Sequence, residues 1–311
     1  MNCAQFEFRD ALLALGLAAT LLAGCSDDSG TPAADGPDAS LGTADAGAEE
    51  LPTLFGGDRP AELKVPSSYD PAVPMPLVVA LHGYSPNTSY LSAVLGLSPL
   101  YDTAGFLLIA PTGTLDSQGY YFWNATDACC NFDANPVDDV AYLTGLVHEI
   151  EASYNVDPKR VYVIGHSNGG FMAHRLACDA ADTFAAIISV SGATFADASR
   201  CTPSRPVGVL QVHGTEDDTI AYAGSSIGGH PFPGAVDTVA KWAALDGCTG
   251  SATDGAPMDL TDLDGAETTV SAYTGCPAGA AAELWTIVGA PHLIVLTSGQ
   301  PLWDWLSAHG R

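Results

Sequence analysis

Apolar residues along this chain come in short uninterrupted blocks rather than in alternation. Six such runs stand out: residues 77–81 (LVVAL), 106–110 (FLLIA), 161–164 (VYVI), 186–190 (AIISV), 207–212 (VGVLQV) and 284–288 (LWTIV). Brief continuous runs of this kind are typical of strands buried on both faces. Between them lie helix-forming stretches at 137–154, 169–177, 235–245 and 301–308. The first of these opens with Asp138 and Asp139, which suit the positive end of a helix. Alternating strands and helices predict an α/β domain whose central sheet is mainly parallel and covered by helices on both faces. Reactive groups in such sheets sit at the carboxyl ends of strands. No internal repeat and no second domain is visible.

One of these strand ends carries an unusual turn. The run VYVI meets Gly165-His166-Ser167-Asn168-Gly169-Gly170 and passes into a helical stretch. A G-x-S-x-G sequence between a strand and a helix holds its serine in a strained backbone that presents Oγ above the sheet edge. Ser167 is therefore the expected nucleophile of a serine hydrolase. The same letters recur at Gly224-Ser225-Ser226-Ile227-Gly228. That copy has no apolar strand before it, and His230, Pro231 and Pro233 follow where a helix would run, so Ser226 is expected in a flexible loop.

A serine hydroxyl needs a base, and the base an orienting acid. The run ending at Val212 leads into His213-Gly214-Thr215-Glu216-Asp217-Asp218. Of its three carboxylates Asp217 is favoured as the acid, with Asp218 next. His230, His292 and His309 remain as bases. His292 follows the last strand on a short Gly289-Ala290-Pro291 turn and is preferred, because His230 sits in a Gly/Pro-rich loop and His309 lies at the fraying end. Oxyanion donors are expected from the backbone N–H groups of Asn168, just after the nucleophile, and Tyr84, after His82-Gly83 at the end of LVVAL. His82 itself reads as a support for that loop. Tyr120-Tyr121-Phe122-Trp123-Asn124 reads either as the acyl-side wall, giving Tyr121 and Trp123 as substrate contacts, or as ordinary core packing. His166 is expected in a packing or rim role beside them. The acidic stretch 259–265 fails the calcium-loop spacing and reads as a solvated turn; neither a metal nor a cofactor is expected.

The chain's start has a different character. Residues 11–23 are continuously apolar or small, too short to span a bilayer comfortably but suited to a signal core. They end in Leu22-Ala23-Gly24-Cys25, which resembles a bacterial lipoprotein cleavage box with Cys25 as the acylated residue. Residues 26–50 hold seven acidic side chains, no Lys or Arg, and one large apolar residue, Leu41. Such a segment is expected to remain a disordered tether, leaving 51–311 as the catalytic domain. The expected location is the cell envelope, with the membrane engaged only through the lipid anchor, or otherwise outside the cell. Of the 311 residues, 36 are Asp or Glu and 10 are Lys or Arg, a formal net charge of −26. That balance makes nucleic acid and anionic headgroups poor partners. Six cysteines follow the tether, and an even number in an exported chain favours disulfides. Local loop closure suggests Cys178–Cys201 and Cys248–Cys276, with Cys129 and Cys130 either a vicinal pair or mixed with the others.

Several segments together resemble the secreted polyhydroxybutyrate depolymerase/feruloyl esterase group of α/β-hydrolases. They are Val137-Asp138-Asp139-Val140, the run Tyr154-Asn155-Val156-Asp157-Pro158-Lys159-Arg160-Val161-Tyr162 leading to Ser167-Asn168-Gly169-Gly170, LHG at 81–83 and HGTED at 213–217. The resemblance implies an α/β-hydrolase fold and cofactor-free carboxylester hydrolysis by a Ser/Asp/His triad, carried onto Ser167, Asp217 and His292. It implies polyester, or acyl groups on plant polysaccharide, as substrate. Members commonly have an aromatic-proline stretch after the histidine, where this chain has Leu293-Ile294-Val295-Leu296. Feruloyl or acetyl esters of polysaccharide fragments are the leading expectation, with poly(3-hydroxybutyrate) or a related polyester as the alternative. A non-catalytic binding lipoprotein on the same scaffold is the rival of another class.

Overall fold

The computed structural model describes residues 51–311, so the signal, Cys25 and the tether lie outside the described residues. In chain order its strands are β1 (Leu54–Phe55), β2 (Ala61–Lys64), β3 (Met75–Leu81), β4 (Leu107–Ile109), β5 (Thr114–Leu115), β6 (Tyr121–Phe122), β7 (Val156–His166), β8 (Ala186–Val190), β9 (Gly208–Gly214), β10 (Gly224–Ile227), β11 (His230–Pro233), β12 (Ala252–Asp254), β13 (Thr268–Tyr273) and β14 (Ala281–Ile287). The α-helices are α1 (Leu91–Leu95), α2 (Tyr101–Ala104), α3 (Asp139–Ser153), α4 (Asn168–Asp179), α5 (Ala235–Leu245) and α6 (Gln300–Ala308).

Ten strands form one sheet in the order β1-β2-β4-β3-β7-β8-β9-β14-β13-β12. The six apolar runs of the sequence become β3, β4, β7, β8, β9 and β14, and these six pair in parallel across the middle of the sheet. The remaining four pair antiparallel at its two edges. Those edge strands carry no continuous apolar run because they are not covered on both sides: β2 alternates buried and exposed positions, and β12 is exposed throughout.

Two apolar layers sandwich the sheet. One joins Val79, Val163 and Val209 to Leu146 of α3, Phe171 of α4 and Trp242 of α5. The other joins Val78, Ile164 and Leu210 to Leu95 of α1 and Trp303 of α6. Burying a side chain of the Val, Leu or Ile type contributes about 1.5–3 kcal/mol each, so the two layers hold the parallel strands in register. Helix α3 starts as its sequence suggests, with the Asp138 carboxylate accepting the Ala141 N–H at 2.9 Å. The buried Asp139 pairs with Arg59 at 2.7 Å and accepts the Asn124 N–H at 2.7 Å.

The second G-x-S-x-G copy differs from expectation. Ser226 lies in an exposed antiparallel hairpin, β10 with β11, rather than in an irregular loop. Pro231 and Pro233 are tolerated there because a two-stranded ribbon has no second neighbour requiring their missing N–H groups. All six cysteines of the domain are paired, as Cys129–Cys130, Cys178–Cys201 and Cys248–Cys276.

Helix α5 ends on a buried acid. Asp246 accepts the Val207 N–H through Oδ1 at 3.1 Å, and its Oδ2 has no partner. Burial raises its pKa to about 7 against the opposing pull of the Val207 N–H. A carboxyl whose folded pKa lies above its unfolded value costs stability as pH rises from about 4 to about 7. The gain in unfolding free energy of Asp246→Asn over the native chain should thus be larger at pH 8 than at pH 5 in urea titrations. Equal gains at both pH values would exclude a protonated Asp246.

Candidate active site

Ser167 stands between β7 and α4 with φ 55° and ψ −120°, a conformation that side chains rarely adopt. The glycines on either side make the turn possible. A Cβ on Gly165 would stand 2.1 Å from the Gly169 carbonyl oxygen, and one on Gly169 would stand 2.2 Å from the Leu81 oxygen. The turn is thus pressed against the end of β3, where a Cβ on Gly83 would meet the Ser167 Cβ at 3.0 Å.

Three residues from distant parts of the chain converge there. His292 Nε2 lies 2.9 Å from Ser167 Oγ, and His292 Nδ1 lies 2.8 Å from Asp217 Oδ2. Accessibility is greatest at the middle of this row and vanishes at its inner end. Ser167 is 8% exposed, the His292 side chain 18%, and the Asp217 side chain 0%. Burial alone would raise the Asp217 pKa, but hydrogen bonds from His213, His292 and the Ile220 N–H outweigh it and hold the carboxyl well below the usual range. Asp218, the other acid weighed from the sequence, is exposed on the same turn and bonds only to Thr219. His230 is exposed on β11, and His309 bonds the Trp305 carbonyl at the end of α6.

Two loops frame the row and are tied together. The Gly83 N–H donates to Tyr90 Oη at 2.7 Å, and Tyr90 Oη lies 3.1 Å from His166 Nδ1. His166 Nε2 reaches the His292 carbonyl oxygen at 3.1 Å, which Ser191 Oγ also approaches at 3.1 Å. Burial, with His292 close by, lowers the His166 pKa to about 4, so this strut stays neutral above about pH 5. With both ring nitrogens engaged and the residue buried, His166 has no face for a substrate; the expected rim role gives way to a structural one. His82 is similar. It accepts the Gly113 N–H at Nε2, bonds the Gly83 carbonyl through Nδ1, and is pushed down to about 4 by burial.

Trp123 also departs from the substrate-contact role. Its side chain is fully buried, its indole N–H donates to the His82 carbonyl at 3.0 Å, and its backbone exchanges two hydrogen bonds with the Asn168 side chain. A substrate wall needs exposed ring surface, and this ring is enclosed by the core. Tyr121 is half-buried on β6, where its backbone pairs with Ser85. Tyr84 and Tyr120 are half-buried like Tyr121, and they join an exposed ring, Phe132. Tyr84 stacks on Tyr120 with ring centres 4.9 Å apart, and Phe132, 52% exposed, meets Tyr84 edge-on at 5.4 Å. The Tyr84 hydroxyl donates to Asp116 at 2.5 Å, fixing the stack. Phe132 was not legible as a neighbour of Tyr84 because 48 positions separate them; the local signal was a lone aromatic after paired cysteines.

The Asn168 N–H lies in the first turn of α4, where no intrahelical acceptor exists. Tyr84 directly follows Gly83, which touches the serine. Among the described residues no group of three or more His, Cys, Asp or Glu is arranged to hold a metal ion. Chemically, this arrangement can deprotonate a hydroxyl at Ser167, with the free first-turn N–H of Asn168 directly after it.

Residues 66–286 match the family model described as Esterase PHB depolymerase, a span that includes Ser167 and Asp217 and stops short of His292. Feruloyl esterase B of Piromyces equi is 30% identical over 192 residues, covering 59% of this chain and 33% of that protein. The chain therefore spans about a third of the length of this relative. Probable feruloyl esterase C of Aspergillus flavus is 28% identical over 218 residues, 67% of this chain and 71% of the relative. Among solved structures, an acetyl xylan esterase from Aspergillus awamori superposes with a TM-score of 0.56 over 83% of this chain and 98% of that one, at 17% identity, which speaks to the fold.

The glycine contacts make a direct expectation. Gly165→Ala should cost most of the soluble yield, because its Cβ meets backbone. Gly145→Ala, in α3 with nothing within 4 Å of the new Cβ, should gain about 0.5–1 kcal/mol. Urea titration and soluble expression of the two variants compare them.

Proposed function

The chain belongs to the Esterase PHB depolymerase family, and from that premise we propose that it is a serine carboxylesterase with Ser167 as nucleophile, His292 as base and Asp217 as orienting acid. The unbroken row from Ser167 Oγ through His292 to Asp217 carries this reading. Ser167 attacks the ester carbonyl while His292 Nε2 takes its proton, and the N–H groups of Asn168 and Tyr84 hold the developing oxyanion. His292 then returns the proton to the leaving alkoxide, and water repeats the sequence on the acyl-enzyme. Asp217, ionised and sealed from water, keeps the ring proton of His292 on Nδ1.

The substrate class we favour is a feruloyl or acetyl ester of polysaccharide fragments. Two observations support it: the relatives named above are feruloyl esterases, and the Tyr84, Tyr120 and Phe132 rings offer a stacked surface beside the oxyanion loop. A polyester depolymerase is the second reading, favoured by the family's own description. A retired binding scaffold would not need a reactive serine, so labelling of Ser167 by a fluorophosphonate probe separates it from both. We further propose export. Three disulfides suit an oxidising compartment, and acylation at Cys25 would anchor the domain by its lipid chains. Loss of radiolabelled palmitate from a Cys25→Ala chain in cells is the expected sign of that anchor.

Ser167→Ala should retain the fold and lose at least about a thousandfold in kcat on p-nitrophenyl acetate. Undiminished turnover would remove Ser167 from the chemistry. Methyl ferulate should be hydrolysed with a higher kcat/KM than hydroxybutyrate oligomers; the reverse order would move the assignment to polyester.

A further inference from the structure

Strand β9 is buried along its whole length, yet two of its residues are polar. Gln211 and His213 lie two apart and so share a face with Val209. That face meets α4 and α5, which contribute His174 and Trp242. All four side chains are fully removed from solvent.

They form one continuous row. Trp242 Nε1 donates to His174 Nδ1 at 2.9 Å. His174 Nε2 lies 3.0 Å from Gln211 Oε1. Gln211 Nε2 lies 3.1 Å from His213 Nδ1 and 2.9 Å from the Gly192 carbonyl oxygen. His213 Nε2 lies 2.8 Å from the Ile220 carbonyl oxygen and 3.2 Å from Asp217 Oδ2. The same Oδ2 takes His292 Nδ1 at 2.8 Å.

Three groups that can act in only one sense fix every bond's direction. An indole N–H only donates, so His174 accepts at Nδ1. His174 is neutral, because burial holds its pKa near 4, and its single proton must be on Nε2, facing Gln211 Oε1. The Gly192 carbonyl only accepts, so the Gln211 amide nitrogen is turned to it, with the second hydrogen aimed at His213 Nδ1. The Ile220 carbonyl also only accepts, so His213 carries a proton on Nε2 and points it between Ile220 and Asp217. The three assignments are independent and mutually consistent.

We propose that Trp242, His174, Gln211 and His213 form a directed, buried hydrogen-bond chain that positions Asp217 and keeps the His292 ring proton on Nδ1, with His213 as a positioning residue. The proposal rests on the triad reading above. Its logic is one of acceptors and donors. With His213 donating and the Thr219 and Ile220 N–H groups on Oδ1 at 3.0 and 2.7 Å, the Asp217 carboxylate is held from both oxygens. Were the His213 ring reversed, its lone pair would face Asp217 Oδ2 in the core; the Gln211 amide and the Ile220 carbonyl forbid that. Sharing Oδ2 between two imidazoles also weakens the carboxylate's pull on His292. The titratable neighbours of this centre are His292, His213, His166 with its ring 5.0 Å from His292, and Tyr222 edge-on at 5.7 Å to His213. Glu216 and Asp218 are exposed on the same turn.

Two variants and one spectrum test the chain. His213→Leu removes the donor to Oδ2. We expect kcat on p-nitrophenyl acetate to fall about tenfold with KM within about twofold, and the acid limb of kcat/KM to move up by roughly half a pH unit or more as Asp217 favours protonated His292. His213→Gln carries an amide N–H at the reach of Nε2 and should restore the limb and most of kcat. Variants whose rates follow only their thermal stability, with the limb unmoved in both, would overturn the proposal. Independently of folding or rate, long-range ¹H–¹⁵N correlation of the unmodified full chain should show His174 and His213 protonated at Nε2 and His292 at Nδ1 near neutral pH. An Nδ1 proton on either His174 or His213 would overturn the chain. The same spectrum of Ser167→Ala should keep the His174 and His213 pattern, so a failure of the hydrolase reading and a failure of the chain remain distinguishable.

Discussion

A single carboxylate removed from water sets the terms for much of this domain. Asp217 is ionised with its side chain at 0% exposure, and an unpartnered charge there would be strongly destabilising. Four donors answer it: His292 Nδ1, His213 Nε2 and the Thr219 and Ile220 N–H groups. Hydrogen bonds to a charged group contribute about 1.5–3 kcal/mol each. Each donor must therefore stay in place, and each belongs to a segment with its own anchors. The turn 214–220 is fixed to β9 and to Ala290. His292 is fixed through its carbonyl oxygen, and His213 through Gln211.

The same economy of directed bonds recurs on the opposite side of the serine. Gly83, Tyr90, His166 and the His292 carbonyl oxygen form a second row that ties the oxyanion loop to the base loop. One row lies behind Asp217, and the other passes beside Ser167. In each, a neutral histidine, His166 or His174, connects its neighbours with one nitrogen giving and one receiving. Burial makes that possible, since it lowers the pKa of His166 and His174 to about 4. The two rows hold the proposed base by separate routes, one through Asp217 and one through its own carbonyl oxygen.

Backbone crowding supplies the remaining constraint. The turn at Ser167 lies so close to β3 and to its own helix that Gly165, Gly169 and Gly83 have no room for a methyl group. Packing at this density transmits small displacements. The sheet that holds it is stiff for a related reason, being parallel in its central six strands and layered on both faces by apolar helices. The aromatic stack of Tyr84, Tyr120 and Phe132 is then a surface built on a fixed base, with Asp116 as its latch.

Local pattern alone determined the central six strands, four of the helices and the strained turn at Ser167, because continuous apolar runs and a glycine-flanked serine express short-range sterics and burial on both faces. It also placed Asp217 and His292 at strand ends, since reactive side chains in a parallel sheet gather there. The edge strands β1, β2, β12 and β13 left no such trace: one-sided burial demands only a few apolar positions. Trp123, His166 and Phe132 were misjudged or passed over for one common reason. Whether a ring faces the core or solvent depends on which residues meet it, and those lie tens of positions away. The polar row from Trp242 to His213 is the extreme case. Gln211 and His213 could be read as odd inside a buried strand, but their partners on α4 and α5 exist only once the helices pack, because a hydrogen bond's direction is decided by the group at its other end.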